Sequence, residues 1–249
     1  MLTFRPSSDA TMPIAVAGGA MIGVGFVLPA DAGPLTCARV LVVGDLVRRV
    51  LEDVYRGQVL AAVITDDQTA ADKVWRSGLM VRPVTGMFTT RAAAEADLGK
   101  PLDLMITVAG SGDEPVPRLA AIGVAPVRAP APYPEPDPAT ARFALARLPY
   151  KQQLEMTSAL LEDAQSILDR WRDRVAQWSR HPSHPIPSDW RTAVIAALDD
   201  DLDVARLVAM MGELEIAEDI EAGAKFEAFA FLDRVLSVDL TRDLGRIGR

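Results

Sequence analysis

Two short, almost unbroken apolar runs, QVLAAVIT at 58–65 and LDLMITV at 102–108, alternate with stretches of helical spacing. Strands covered on both faces look like this, because neither face meets water. Before the first run, residues 37–55 carry Val40, Val43, Val47, Val50, Leu51 and Val54 at three-and-four spacing, with Arg48, Arg49, Glu52 and Asp53 between them. That spacing predicts a helix with one charged face. Residues 66–76 open on Asp66 and Asp67, good helix-capping and first-turn residues, and predict a second helix. Residues 89–98 predict a third, and PIAVA at 13–17 supplies an earlier strand. Strands alternating with helices require a parallel sheet joined by right-handed crossovers.

The uncharged run at 12–30, MPIAVAGGAMIGVGFVLPA, is long enough to cross a bilayer and ends near Ala30-Asp31-Ala32, which resembles a signal-peptidase site. Its upstream segment has only Arg5 as a cation and also carries Asp9, and the run itself is interrupted by four glycines. A buried strand followed by a glycine-rich loop accounts for it better, and the expected location is cytoplasmic, with no membrane contact. Gly18, Gly19, Gly23 and Gly25 then follow the strand, either as a tight turn or as a phosphate cradle, although their spacing matches no nucleotide fingerprint.

Six prolines in PVRAPAPYPEPDP at 126–138 break regular structure and mark a linker. The division is 1–125 for a Rossmann-like domain, 126–138 for the linker and 139–249 for a helical bundle. Beyond the linker, Leu154, Leu161, Ala164, Leu168, Trp171, Val175 and Trp178 trace an amphipathic helix over 151–180. HPSHPIP at 181–187 stops it, and His181 and His184 are read as part of an exposed turn. Ser188 or Asp189 is placed to cap the next helix. DDDLD at 199–203 interrupts that helix and caps another, and a last helix carries Phe226, Phe229, Leu232, Val235 and Leu236. These stripes are bundle core, and the aspartates are a helix start rather than a metal site.

With 249 residues the chain buries a sizeable core unaided. Its single cysteine, Cys37, forms no intrachain disulfide, and two histidines cannot build a multi-ligand zinc site. The net charge is −8, of which −7 falls in residues 131–249 (14 basic, 21 acidic). That sign opposes general nucleic-acid binding.

The stretch DPATARFALARLPYKQQLEMTSALLEDAQSILDRW at 137–171 resembles the helical segment of cysteinyl-tRNA synthetases, through Asp137-Pro138, Arg142, Tyr150-Lys151, Leu161, Ala164 and Leu168. ALDDDLDVARL at 197–207 resembles that family's Asp-Asp-Asp-Leu/Phe-Asn turn, and KFEAFAFLDRVLSVDL at 225–240 its final helix. Upstream, IAVAGG at 14–19 falls where the family has Tyr-Val-Cys-Gly-Pro, PLTCAR at 34–39 where it has His-Ile-Gly-His-Ala-Arg, and VITDDQTAADK at 63–73 resembles its Ile-Thr-Asp strand end. The resemblance implies a class I synthetase-like, Rossmann-like parallel sheet followed by an all-α helical bundle. It also implies ATP as a cofactor and a zinc that reads cysteine.

The departures from the family are concentrated in its chemistry. Pro34 and Cys37 stand where the two imidazoles would meet ATP phosphates, and Thr36 stands for the glycine between them. Neither side chain replaces an imidazole donor. Ala17 stands at the family's first zinc cysteine, and VPRLA at 116–120 at its His-His-Glu-Asn-Glu segment, so zinc is not expected. VRAPAPYPEP at 127–136 has no lysine where the mobile Lys-Met-Ser-Lys-Ser loop belongs. No catalytic residue is therefore assigned. The expected function is a degenerate synthetase paralogue that binds a small ligand or a protein partner, with tRNA excluded by charge. The alternative is an ATP-dependent, adenylate-forming ligase with a rebuilt site, joining cysteine or another amino acid to tRNA or a small acceptor. Gly18, Gly19, Pro34, Cys37, Thr65, Asp66 and Ser111 form the candidate ligand crevice, at the strand ends where such folds bind.

Overall fold

The computed structural model describes residues 2–4, 12–14, 19–69, 71, 78–111, 119–130 and 136–245. Two short strands, β1 (Leu2–Phe4) and β2 (Met12–Ile14), pair antiparallel in a sheet of their own. The central sheet contains β3 (Met21–Val27), β4 (Gln58–Ile64), β5 (Gly86–Phe88), β6 (Leu104–Val108) and β7 (Ala120–Val124). All its pairings are parallel, in the order β5-β4-β3-β6-β7. Val24 sits mid-sheet, opposite Ala61 on one side and Leu104 on the other. The chain runs from β3 outward to β4 and β5 and then crosses back to β6 and β7, so the switch point lies between β3 and β6.

The strand expected at 13–17 is corrected by this arrangement. The first parallel strand is 21–27, residues 12–14 belong to the small antiparallel pair, and 15–17 lie outside the described residues. Gly23 and Gly25 are therefore strand residues and not part of a loop. A Cβ on Gly23 would lie 2.8 Å from the Pro101 carbonyl oxygen, and one on Gly25 would lie 2.7 Å from Leu102 Cδ1. The segment leading into β6 crosses β3 too closely for side chains. Its place is fixed by Asp103, whose N–H donates to Gly23 O (2.9 Å) and whose carboxylate accepts the Gly23 N–H (2.8 Å).

Ile22, Val24 and Phe26 point to the other face, onto α1 (Pro34–Arg49), which runs into a π-helical turn at Val50–Val54. Residues 36–47 of α1 are all buried. A helix covered on every side must be apolar nearly all round, as the valine-rich sequence is. α2 (Arg91–Leu98), capped by Thr90, covers the opposite face with Leu102. Of the helix expected over 66–76, residues 68, 69 and 71 are helical and the others are not among those described.

The helical part comprises α3 (Pro138–Ala146), α4 (Ser158–Trp178), α5 (Ser188–Asp199), α6 (Val204–Ile216) and α7 (Ala222–Leu236). The helix expected from 151 starts seven residues later. Leu154–Glu155 form β9, parallel to β8 (Val127–Arg128), because the carbonyls of Pro126 and Arg128 accept the N–H groups of Leu154 (3.1 Å) and Met156 (2.7 Å). Thr157 then caps α4 by accepting the Leu160 N–H. At α5 the cap position is Pro187 and makes no side-chain cap bond, so Ser188 and Asp189 sit in the first turn instead. Asp203 caps α6 as expected, accepting the Arg206 N–H at 2.9 Å.

One apolar core runs from Val24 in the sheet to Leu236 in the last helix. Within it, Phe143, Trp171, Phe229 and Trp178 meet edge to face, with ring centroids 5.0–5.7 Å apart. A charged knot joins the sheet side to the helices. Asp45 of α1, 1% exposed, accepts from Arg142 of α3 and from Arg49, each at 2.6 Å, and from the Arg82 backbone N–H at 2.8 Å. Arg142, fully buried, also donates to the carbonyls of Leu236 (2.5 Å) and Leu79 (3.0 Å).

Candidate functional site

A cleft forms where β3 and β4 end, one strand interval from the β3–β6 switch point. The Leu28 N–H donates to Ile64 O (2.9 Å), extending the pairing by one residue, and residues 29–33 then turn the chain into α1. Pro34 occupies the first helical turn, where its missing N–H costs nothing. Gly33 caps without a side chain, and its carbonyl accepts the N–H groups of Thr36 (2.9 Å) and Cys37 (3.1 Å). At the end of β4, the Thr65 N–H donates to Phe88 O, and its hydroxyl oxygen accepts the Asp67 N–H at 3.1 Å, holding the turn that starts the next helix.

A cleft of about 350 Å³ lies between these turns, with Leu28, Cys37, Thr65 and Ala71 buried against it and Asp31, Pro34 and Asp67 exposed along it. This volume falls within the range of small-molecule sites. Cys37 is 8% exposed, and its thiol donates to Ala32 O at 3.3 Å. Burial, with a smaller contribution from the Asp31 charge, pushes the thiol up, against a backbone hydrogen bond that pulls it down. A protonated, enclosed thiol is a poor nucleophile and a poor metal ligand.

The structure brings Pro34, Cys37 and Thr65 into this cleft. Asp66 is exposed in the adjoining bend, and its neighbour Asp67 is the one that lines the cavity. Ser111 follows β6 at the same edge of the sheet but outside the cleft, its hydroxyl donating to Val108 O at 2.8 Å. Gly19 precedes β3, at the opposite end of the strand, and its N–H donates to Arg56 O. Gly18 lies outside the described residues. Leu28 and Asp31 are missing from the sequence-derived set because they belong to the turn after 21–27, and the strand had been expected earlier. A strand placed on MIGVGFV would have pointed to both.

The described residues of the cleft can be compared with what ATP and zinc require. Among the described residues no lysine, arginine or histidine lines it, and the start of α1 offers the amides of Gly33 and Leu35. Phosphate sites at helix starts use several such amides, commonly with a cation. Also among the described residues, no cluster of three His, Cys, Asp or Glu side chains is placed to hold a metal ion. The aspartates of 199–203, which lie outside the cleft, have other work. The Tyr55 hydroxyl donates to Asp199, the Tyr150 hydroxyl and Lys151 donate to Asp201, and Asp203 caps α6.

Arg39, one turn into α1, is fully buried and donates to the carbonyls of Gln152 (2.6 Å), Pro149 (2.9 Å) and Ala125 (3.2 Å), leaving its Nε unpartnered. Burial pulls its guanidinium down to about 10. It clamps the segment after β7 to the loop before β9, a structural use of a cation. No helix among the described residues is long and apolar enough to cross a membrane. No protein-family model matches the chain, and no curated protein is detectably similar to it in sequence.

Proposed function

We propose that the chain is a cysteinyl-tRNA synthetase-like scaffold that has given up aminoacylation and acts by binding a small molecule in the cleft at the ends of β3 and β4. One observation carries the reading. A preformed cavity sits at the carboxyl ends of the parallel strands, the edge on which such sheets take ligands, yet its polar side chains among the described residues are a protonated thiol, a hydroxyl that is already accepting a bond, and carboxylates. None of these stabilises a pentavalent phosphate or holds a thiolate-reading zinc. The resemblance at 137–171, 197–207 and 225–240 supports the synthetase-like ancestry, as does a Pro34–Arg39 segment that opens α1 after a parallel strand.

The test pairs two measurements on the full chain. Pyrophosphate exchange with each amino acid should stay at background. Calorimetry with cysteine, ATP and a cysteinyl sulfamoyl-adenylate should show no tight binding of the analogue. Exchange above background, or tight analogue binding, overturns the reading in favour of an adenylate-forming ligase.

A further inference from the structure

The helix that walls the cleft is held by carbonyls far along the chain. Arg39 follows Cys37 by two residues on α1 and donates to the Pro149 and Gln152 carbonyls, 110 and 113 positions later. Thr36 adds a second tie, its hydroxyl oxygen accepting the Val127 N–H at 3.1 Å. The partners of Arg39 among the described residues are all carbonyl oxygens, so its buried charge depends on their staying in place. The 149–152 segment is in turn anchored at the turn between α5 and α6. The Tyr150 hydroxyl and the Lys151 ammonium both donate to the Asp201 carboxylate, and the Tyr150 carbonyl accepts the Ala125 N–H at 2.8 Å. Asp201 and Leu202 are both left-handed, with φ of 59° and 55°. Leucine above all resists this conformation, so the turn keeps its shape only while its surroundings impose it. Those surroundings include the bonds from Tyr150 and Lys151, the Thr3 carbonyl that accepts the Asp201 N–H at 2.9 Å, and the burial of Leu202. We propose that the 149–152 segment is a latch. While Asp201 stays bonded, the segment holds the first turns of α1 closed over Cys37. Its release at the strained turn opens the cleft locally, with the rest of the core still folded. The strained turn supplies the second state, because once freed of Tyr150 it relaxes. Access to the cleft thus depends on a site outside it, whatever molecule the cleft takes.

Cys37 is the chain's one cysteine and is buried, so its alkylation reports opening of the cleft. The full chain and its variants are treated with iodoacetamide over a range of low urea concentrations. Incorporation is read by intact mass, and global stability by urea unfolding. Tyr150→Phe keeps the ring and removes the bond to Asp201. Asp201→Asn suits the left-handed backbone and removes the charge that both donors use. Asp203→Ala is the control, because it removes the α6 cap in the same turn, a bond to the Arg206 N–H and not to the latch. Compared at equal global stability, Tyr150→Phe should be alkylated roughly ten-fold faster than Asp203→Ala, at a rate nearly independent of urea, as local opening requires. Asp201→Asn should act in the same direction by about three-fold, and it decides the matter if Tyr150→Phe does not fold. Alkylation that tracks global stability alike in all three variants, or that rises with urea as steeply as unfolding does, overturns the latch.

Discussion

Replacing Asp45 with leucine removes the carboxylate paired directly with the fully buried Arg142, leaving the more distant Asp233 charge, and its cost exceeds that of removing the arginine. In Asp45→Leu the guanidinium keeps the Leu236 and Leu79 carbonyls but loses its counter-charge at 2.6 Å. Stranding a buried charge in this way costs about 3–5 kcal/mol. Arg142→Met leaves Asp45 with the Arg49 guanidinium at 2.6 Å and the Arg82 N–H at 2.8 Å. What is lost is one arm of the knot and two carbonyl bonds, about 2–3 kcal/mol. The double variant exchanges the pair for apolar side chains, a change that is often close to neutral. It should therefore unfold at a higher urea concentration than Asp45→Leu alone. Equilibrium urea unfolding, followed by tryptophan fluorescence, gives all four free energies. An Asp45→Leu cost below about 1 kcal/mol, or additive single-variant costs, would refute the view that these charges stand or fall as a unit.

Gly44→Ala places a Cβ 2.5 Å from the Phe26 ring, so an overpacking cost of about 1–3 kcal/mol outweighs a helix-propensity gain of about 1 kcal/mol. The variant should melt lower and recover with Phe26→Leu, and a raised melting temperature would contradict this packing. Burial and a bonded carboxylate hold the Tyr55 and Tyr150 hydroxyls well above the usual tyrosine range. Because the folded form keeps protons that the unfolded form sheds, stability should be flat up to about pH 9 and fall as pH rises beyond about 10. Absorbance at 295 nm at pH 11 should show no more than one of the three tyrosines ionised before unfolding. With −7 in residues 131–249, total tRNA should bind no more tightly than non-specific partners do, about 10⁻⁴–10⁻⁶ M at physiological salt. Submicromolar, tRNA-selective retention on filters would restore a tRNA-linked function.

The strands at 58–64 and 104–108 were legible because burial on both faces leaves an apolar run that no local context disguises. β3 was displaced to 13–17 for a reason local pattern cannot supply. Its glycines answer to Pro101 and Leu102, some 80 residues away, and read alone they signal a loop. β5 and β7 escaped notice because three residues at a sheet edge, and a run of alanine and glycine, carry little periodic signal. The stripes of α4 to α7 were clear because each of these helices packs one face and leaves the other exposed. At the cleft, Thr65 was legible as the end of the 58–65 run, Pro34 and Cys37 were found through the resemblance of 34–39 to the synthetase segment, and Asp31 depended on where β3 stops.

The partners of α1 also set a timetable for synthesis. Arg49, at its end, donates to the carbonyl of Arg234, 185 positions later in the chain, and Arg142 ties Asp45 to Leu236. A ribosome adding about 5–20 residues per second needs on the order of 10–40 s to make that distance. For that interval the valine-rich surface of α1 that the last helix will cover has no permanent cover. A nascent chain of this kind is exposed to misassociation until its final helix emerges, so holdase chaperones should influence its yield more than its final stability.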